Sequence, residues 1–164
     1  MKERKEYRFV YPGKTTKQSL SRLRPEAVVS ALAAVCQHQE LTFLRGVFGL
    51  AGWSLYEASS VTEALILLKR RPVDIVIMDR DLPDGRWRDL LEAFKPMPVQ
   101  PPLIVTSRLA DEYLWAEVLN EGGYDVLAQP FEAEEVIRVI SAATRRNHNA
   151  STEARRPMPL SAGA

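Results

Sequence analysis

The residues of this chain best placed to do chemistry lie in one short stretch, Asp79-Arg80-Asp81-Leu82-Pro83-Asp84-Gly85. They follow directly on an apolar run, Ile75-Val76-Ile77-Met78. That run is short, rich in β-branched residues and without polar alternation, the pattern of a strand buried on both faces of a parallel sheet. A carboxylate at the carboxyl end of such a strand lies where open α/β sheets bind ligands and carry out reactions. Asp79 is therefore the leading candidate for a reactive group. The competing reading is structural, because Asp commonly ends a strand and accepts N–H bonds from the turn that follows. Asp81 and Asp84 read as turn formers before they read as ligands, and Pro83 and Gly85 shape the loop.

Other reactive side chains are sparse. Cys36 is the single cysteine, so it has no partner for an intramolecular disulfide and spells out no zinc site. It reads as a small buried hydrophobe, since no basic residue adjoins it in sequence to activate a thiolate. His38 has no partner at ligand spacing and reads as a solvated loop residue. No glycine-rich phosphate loop of either common pattern occurs, which argues against a nucleotide site.

The elements that must position Asp79 follow from periodicity. Strand-like segments cover 27–35, 54–58, 74–78, 103–106 and 126–128. Helical spacing marks 40–51, 62–71, 86–94, 111–120 and 132–144. Gly52 and the Gly122-Gly123 pair stop two of the helices, and Pro72 ends another. Ser60, with Glu63 three residues on, has the form of a capping box. On the fourth helix, Tyr113 and Trp115 read as one core residue and one interface anchor. Five repeats of strand then helix imply parallel βαβ units and a doubly wound α/β sheet.

Composition is that of a globular protein, 46% hydrophobic over 164 residues. The net charge of +1 hides an asymmetry. Residues 1–26 carry eight Lys or Arg against three Glu, residues 27–144 ten against seventeen acids, and residues 145–164 four Arg against one Glu. A body of −7 is the wrong sign for a fold that grips nucleic acid. The opening residues are charged and lack the apolar core of a secretory signal, and no apolar run is long enough to span a bilayer. A cytoplasmic location is expected.

The segment from about 27 to 144 resembles a response-regulator receiver domain of bacterial two-component systems. Three motifs carry the likeness: DRDLPDG at 79–85, AGWSLYEASSVTEALILL at 51–68 and GGYDVLAQPF at 122–131. The resemblance implies a flavodoxin-like (βα)5 fold with strand order 2-1-3-4-5. It also implies a receiver-like domain over 26–146, between a basic arm at 1–25 and a tail at 147–164 that are both expected to be disordered. Asp79 matches the phosphoacceptor, with Arg80, Asp81, Leu82, Pro83, Asp84 and Gly85 as its loop. Thr106 or Ser107 would supply the hydroxyl that hydrogen-bonds a phosphoryl group.

The chain departs from the family pattern at four positions. The acidic pair that helps hold Mg2+ falls on Val35 and Cys36, the strand-five lysine on Gln129, and the aromatic switch residue on Val126. A hard cation prefers several oxygen ligands, so Mg2+ is expected to bind weakly or not at all, through Asp79 and Asp81 if anywhere. The amide of Gln129 can still donate a hydrogen bond to a phosphoryl oxygen. The expected role is a stand-alone receiver without enzymatic turnover, whose Asp79 accepts a phosphoryl group from a histidine kinase. Its face between the fourth and fifth helices would meet a signalling partner or a second copy. No direct contact with DNA or membrane is expected. The alternative is a pseudo-receiver, a protein-interaction module that works without phosphorylation.

Overall fold

A run such as Ile75-Val76-Ile77-Met78 has no polar side to offer water, and the fold gives it none. The computed structural model describes residues 28–154. Within them, strands and helices alternate: β1 Ser30–Ala34, α1 His38–Ala51, β2 Ser54–Ala58, α2 Val61–Arg70, β3 Ile75–Asp79, α3 Trp87–Phe94, β4 Leu103–Ser107, α4 Glu112–Glu121, β5 Asp125–Ala128 and α5 Ala133–Ala154. The five strands form one parallel sheet in the order β2-β1-β3-β4-β5. This is the flavodoxin-like receiver topology expected from the sequence. A small antiparallel ladder, Asp81–Leu82 against Gly85–Arg86, closes the loop after β3.

Both sheet faces are covered, and the strand period of two sorts the side chains. Ala31, Ala33, Ile75, Ile77, Ile104 and Leu127 pack with residues of α1 and α5, among them Leu44, Phe48, Val136 and Ile140. Leu32, Ala34, Val76, Met78, Leu103 and Val105 pack with α2, α3 and α4 through Ala64, Leu90, Phe94, Leu114 and Val118. At the ends of α1 and α4, Gly52 at φ 72° and Gly122 at φ 103° take the left-handed conformation that lets the chain reverse and satisfy the last helical carbonyls.

The N-terminus of α2 settles the role of Asp84. Ser60 Oγ accepts from the N–H of Glu63 at 3.1 Å, as the capping pattern predicts. Asp84 supplies the rest: its Oδ1 accepts from Val61 N–H at 2.7 Å, and its Oδ2 from the N–H and hydroxyl of Thr62 at 2.9 and 2.7 Å. A loop carboxylate more than twenty residues away thus satisfies the donors a helix start leaves over. Those bonds hold the Asp84 carboxyl below the usual aspartate range. Asp84 is accordingly the cap of a distant helix rather than a local turn former.

Four sequence expectations need correction. The first strand starts at Ser30 rather than residue 27, because the ladder exists only where β2 and β3 lie alongside; Ala27 itself falls outside the described residues. Glu63 does not return its bond to Ser60 but to the N–H and hydroxyl of Ser59, both at 2.8 Å. The last helix does not end at Thr144, nor does a disordered tail begin at 147. The helix continues to Ala154, since residues 145–154 contain no proline or glycine to stop it and the next proline is Pro157. On α4, neither Tyr113 nor Trp115 is core: they are 86% and 50% exposed, and Leu114 and Val118 face inward instead. The arm at 1–25 and the tail beyond 154 lie outside the described residues.

Two measurements check this packing. Leu90 on α3 is fully buried, so Leu90→Ala should cost about 3 kcal/mol of unfolding free energy, read as a lower urea midpoint at unchanged m. Asp84→Ala should lower Tm by a few degrees at neutral pH through loss of the cap. Because the folded carboxyl titrates below its unfolded value, that stabilisation is complete above about pH 4 and is lost as the pH falls through the folded value. The Tm gap between the two proteins should therefore close in acid.

Candidate functional site

Asp79, Thr106 and Gln129 are brought together by strand register. Asp79 is the last residue of β3 and pairs with Thr106 of β4, which in turn pairs with Leu127 of β5. Gln129 lies two residues past Leu127 and so continues the same face. All three prolong the sheet face that carries Ile77, Ile104 and Leu127. The same parity decides between the two candidate hydroxyls. Ser107 falls on the opposite face, where its Oγ accepts from Leu109 N–H at 3.1 Å, and only Thr106 reaches Asp79.

The resulting geometry is closed. Thr106 Oγ1 donates to Asp79 Oδ1 at 2.6 Å, and Gln129 Nε2 donates to the same oxygen at 2.7 Å. Gln129 Nε2 also lies 3.1 Å from Thr106 Oγ1, which accepts from it. The backbone N–H of Cys36, just past β1, donates to Asp79 Oδ2 at 2.8 Å. The carboxylate, 8% exposed, thus accepts three hydrogen bonds, all from neutral donors. Main-chain bonds frame it: Arg80 N–H donates to Thr106 O, and Gln129 N–H to Ser107 O, both at 2.9 Å.

The rest of the loop is engaged elsewhere. Asp81 is exposed and pairs with Arg86 at 3.2 Å and Arg80 at 3.6 Å. Leu82 is buried against the α2 and α3 side, while Pro83 is exposed. Gly85 lies so close to Asp89 Oδ2 and Val61 that an added Cβ would fall 2.8 Å from the carboxylate oxygen. Arg86 N–H donates to Asp89 Oδ2 at 2.7 Å, which fixes the start of α3. Val126, at the switch position, is half-buried with the α2 to α4 cluster.

At the acidic-pair positions Val35 is buried and Cys36 is exposed, which corrects the reading of Cys36 as a buried hydrophobe. The strand ends at Ala34, and the chain turns so that the Cys36 N–H points inward while its side chain points out. Desolvation, then the charges of Asp79 and Asp84, push the thiol above its usual value. Mg2+ demands a nearly octahedral set of hard oxygens. Both oxygens of Asp79 accept bonds, Asp84 faces α2, and Asp81 faces two arginines. Among the described residues no three His, Cys, Asp or Glu side chains gather in a way that could hold a metal ion.

Two contacts were missed in sequence. Glu40 is buried, and its Oε2 accepts from Phe131 N–H at 3.2 Å, tying the first turn of α1 to the chain just past Gln129-Pro130. The signal was present, because Glu40 stands on the same helical stripe as Leu44, Val47 and Phe48. Arg108 Nη2 donates to Gln37 Oε1 at 2.5 Å, bridging the loops that follow β4 and β1. Nothing local in the sequence announces that pair.

Comparison with known proteins agrees with the fold. The model of the response regulator receiver domain matches residues 37–141. The transcriptional regulatory protein KdpE of Mycobacterium tuberculosis is 32% identical over 120 residues, 73% of this chain and 52% of that protein. PhoP of Escherichia coli K12, also named a transcriptional regulatory protein, is 30% identical over 103 residues, 63% of this chain and 46% of its own length. The chain thus spans about half the length of these relatives. The solved signal receiver domain of an HD domain-containing protein from Pseudomonas fluorescens Pf-5 matches with a TM-score of 0.67 at 27% identity, over 75% of this chain and 99% of that one. With its 2-1-3-4-5 sheet and an aspartate at the end of β3, the chain belongs to the response regulator receiver domains of two-component signalling.

Proposed function

We propose that this receiver serves two-component signalling as a protein-interaction module whose state does not depend on phosphorylation of Asp79. One observation carries the reading: both oxygens of Asp79 already accept bonds, from Cys36 N–H, Thr106 and Gln129. An in-line attack from Oδ1, which accepts two of these bonds, would have to break one of them, and Oδ2 is left with a single free lone pair beside the Cys36 N–H. Phosphoryl transfer also relies on concentrated positive charge around the transferring oxygens, and here Gln129 replaces the lysine while Val35 and Cys36 replace the acidic pair that would help hold Mg2+. No enzymatic turnover follows from such a site.

The partner surface in this reading is that of α4 and α5. Tyr113, Trp115 and Leu119 are exposed on α4, and large aromatic groups of this kind anchor protein interfaces. Trp115 Nε1 donates to Asp125 Oδ1 at 3.1 Å, which steadies the ring against β5. The occupant would be a histidine kinase or another signalling protein, or a second copy of the chain. DNA contact is not the role proposed for this acidic body, and among the described residues no helix is long and apolar enough to cross a membrane.

The second reading, Asp79 as a phosphoacceptor served by a histidine kinase, is favoured by the position of Asp79 at the end of β3 with the Thr106 hydroxyl beside it. Incubation with acetyl phosphate and millimolar Mg2+, followed by intact mass measurement, separates the two. The protein should stay unmodified under conditions that label an ordinary receiver. An adduct of one phosphoryl group, absent from Asp79→Asn, would establish the second reading instead. For the surface, Tyr113→Ala should change unfolding free energy by less than about 0.5 kcal/mol, since the residue is 86% exposed. The same substitution should weaken self-association or partner binding, seen by sedimentation or by calorimetry with a cognate kinase.

A further inference from the structure

We infer that Asp79 is a hydrogen-bond hub that fixes the carboxyl ends of β1, β4 and β5, so that α4 and α5 leave the sheet in one arrangement whether or not a divalent cation is present. The three donors come from three different places in the chain: Cys36 just past β1, Thr106 in β4 and Gln129 just past β5. Two of these lead into the helices of the proposed partner surface. Thr106 precedes the loop into α4, whose cap Asp111 accepts from Leu114 N–H at 2.8 Å. Gln129 precedes Pro130 and Phe131, and Phe131 N–H donates to the buried Glu40 of α1. The turn into α5 is therefore clasped from β3 and from α1 together.

The chemistry of the donors makes this hub indifferent to metal. A buried carboxylate must be compensated, and neutral donors aimed at both oxygens do so without a cation. The loop that follows Asp79 is itself held at its far end, where Asp84 caps α2 and Gly85 packs against Asp89 and Val61. An ion at the remaining lone pair of Asp79 Oδ2 would find no second carboxylate free beside it, since Asp81 pairs with two arginines and Asp84 caps α2. Gln129 and Thr106 are thus positioning residues, acting on the helices through Asp79.

The inference rests on the phosphate-independent reading, but its test contains no phosphate donor, so the two fail separately. In the full chain, 10 mM Mg2+ (about a hundredfold over a typical protein sample, and ample for ordinary carboxylate sites) should leave Tm and the amide NMR signals of Cys36, Thr106 and Gln129 unchanged. Gln129→Met, close in shape but without the donor, should lower Tm by about 5 °C and shift the Cys36 amide signal from the opposite side of Asp79. Thr106→Val should do the same, and Thr106→Ser, which keeps the hydroxyl, should restore most of the parental Tm and the Cys36 signal. A saturable Mg2+ response that Asp79→Asn abolishes would overturn the inference. So would a Cys36 amide that ignores both Gln129→Met and Thr106→Val.

Discussion

The constraint on which the rest of this structure depends is the burial of one carboxylate. Asp79 lies at the end of a strand whose preceding four residues are all fully buried, and a charge in that position is tolerated only if its oxygens are satisfied. Among the described residues the satisfaction comes from an amide, a hydroxyl and a backbone N–H, supplied by three separate segments. Each of those segments is thereby committed to a fixed distance from β3. The carboxyl edge of the sheet is built around this requirement as much as around apolar contact.

The sheet makes the hub possible because its register is rigid. Parallel strands buried on both faces cannot slip by one residue without turning every side chain to the wrong face. Ile77, Ile104 and Leu127 occupy one face at successive strands, and Asp79, Thr106 and Gln129 follow them at the strand ends. The polar cluster is thus the edge of the apolar core on that side, and it inherits the precision of that core. Asp84 applies the same economy one loop further on, joining the segment after β3 to the start of α2 with three accepted bonds.

These features bear on how the receiver family varies. The chain keeps the aspartate and the hydroxyl, and departs from the pattern that the resemblance implies at Gln129, in the place of a lysine, and at Val35 and Cys36, in the place of an acidic pair that would help hold a cation. An amide in the lysine position exchanges a point charge for a directed hydrogen bond. In the reading proposed above, the aspartate then has a use that requires no ion.

Much of this was legible in the amino-acid sequence. Apolar runs and helical stripes located the five strands and five helices, and the abrupt end of Ile75-Val76-Ile77-Met78 singled out Asp79. Those signals are local, repeating every two or three to four residues, and they need no knowledge of what lies across the sheet. The last helix ran past its apolar stripe to Ala154, because nothing in the sequence before Pro157 breaks it. What the tertiary structure alone decided were the long-range pairings. Thr106 rather than Ser107 meets Asp79, Asp84 caps a helix more than twenty residues earlier, Cys36 turns outward, and Tyr113 and Trp115 both face water. Each depends on register and on the direction in which a strand end turns, and these are set by packing between segments as far apart as Asp79 and Gln129.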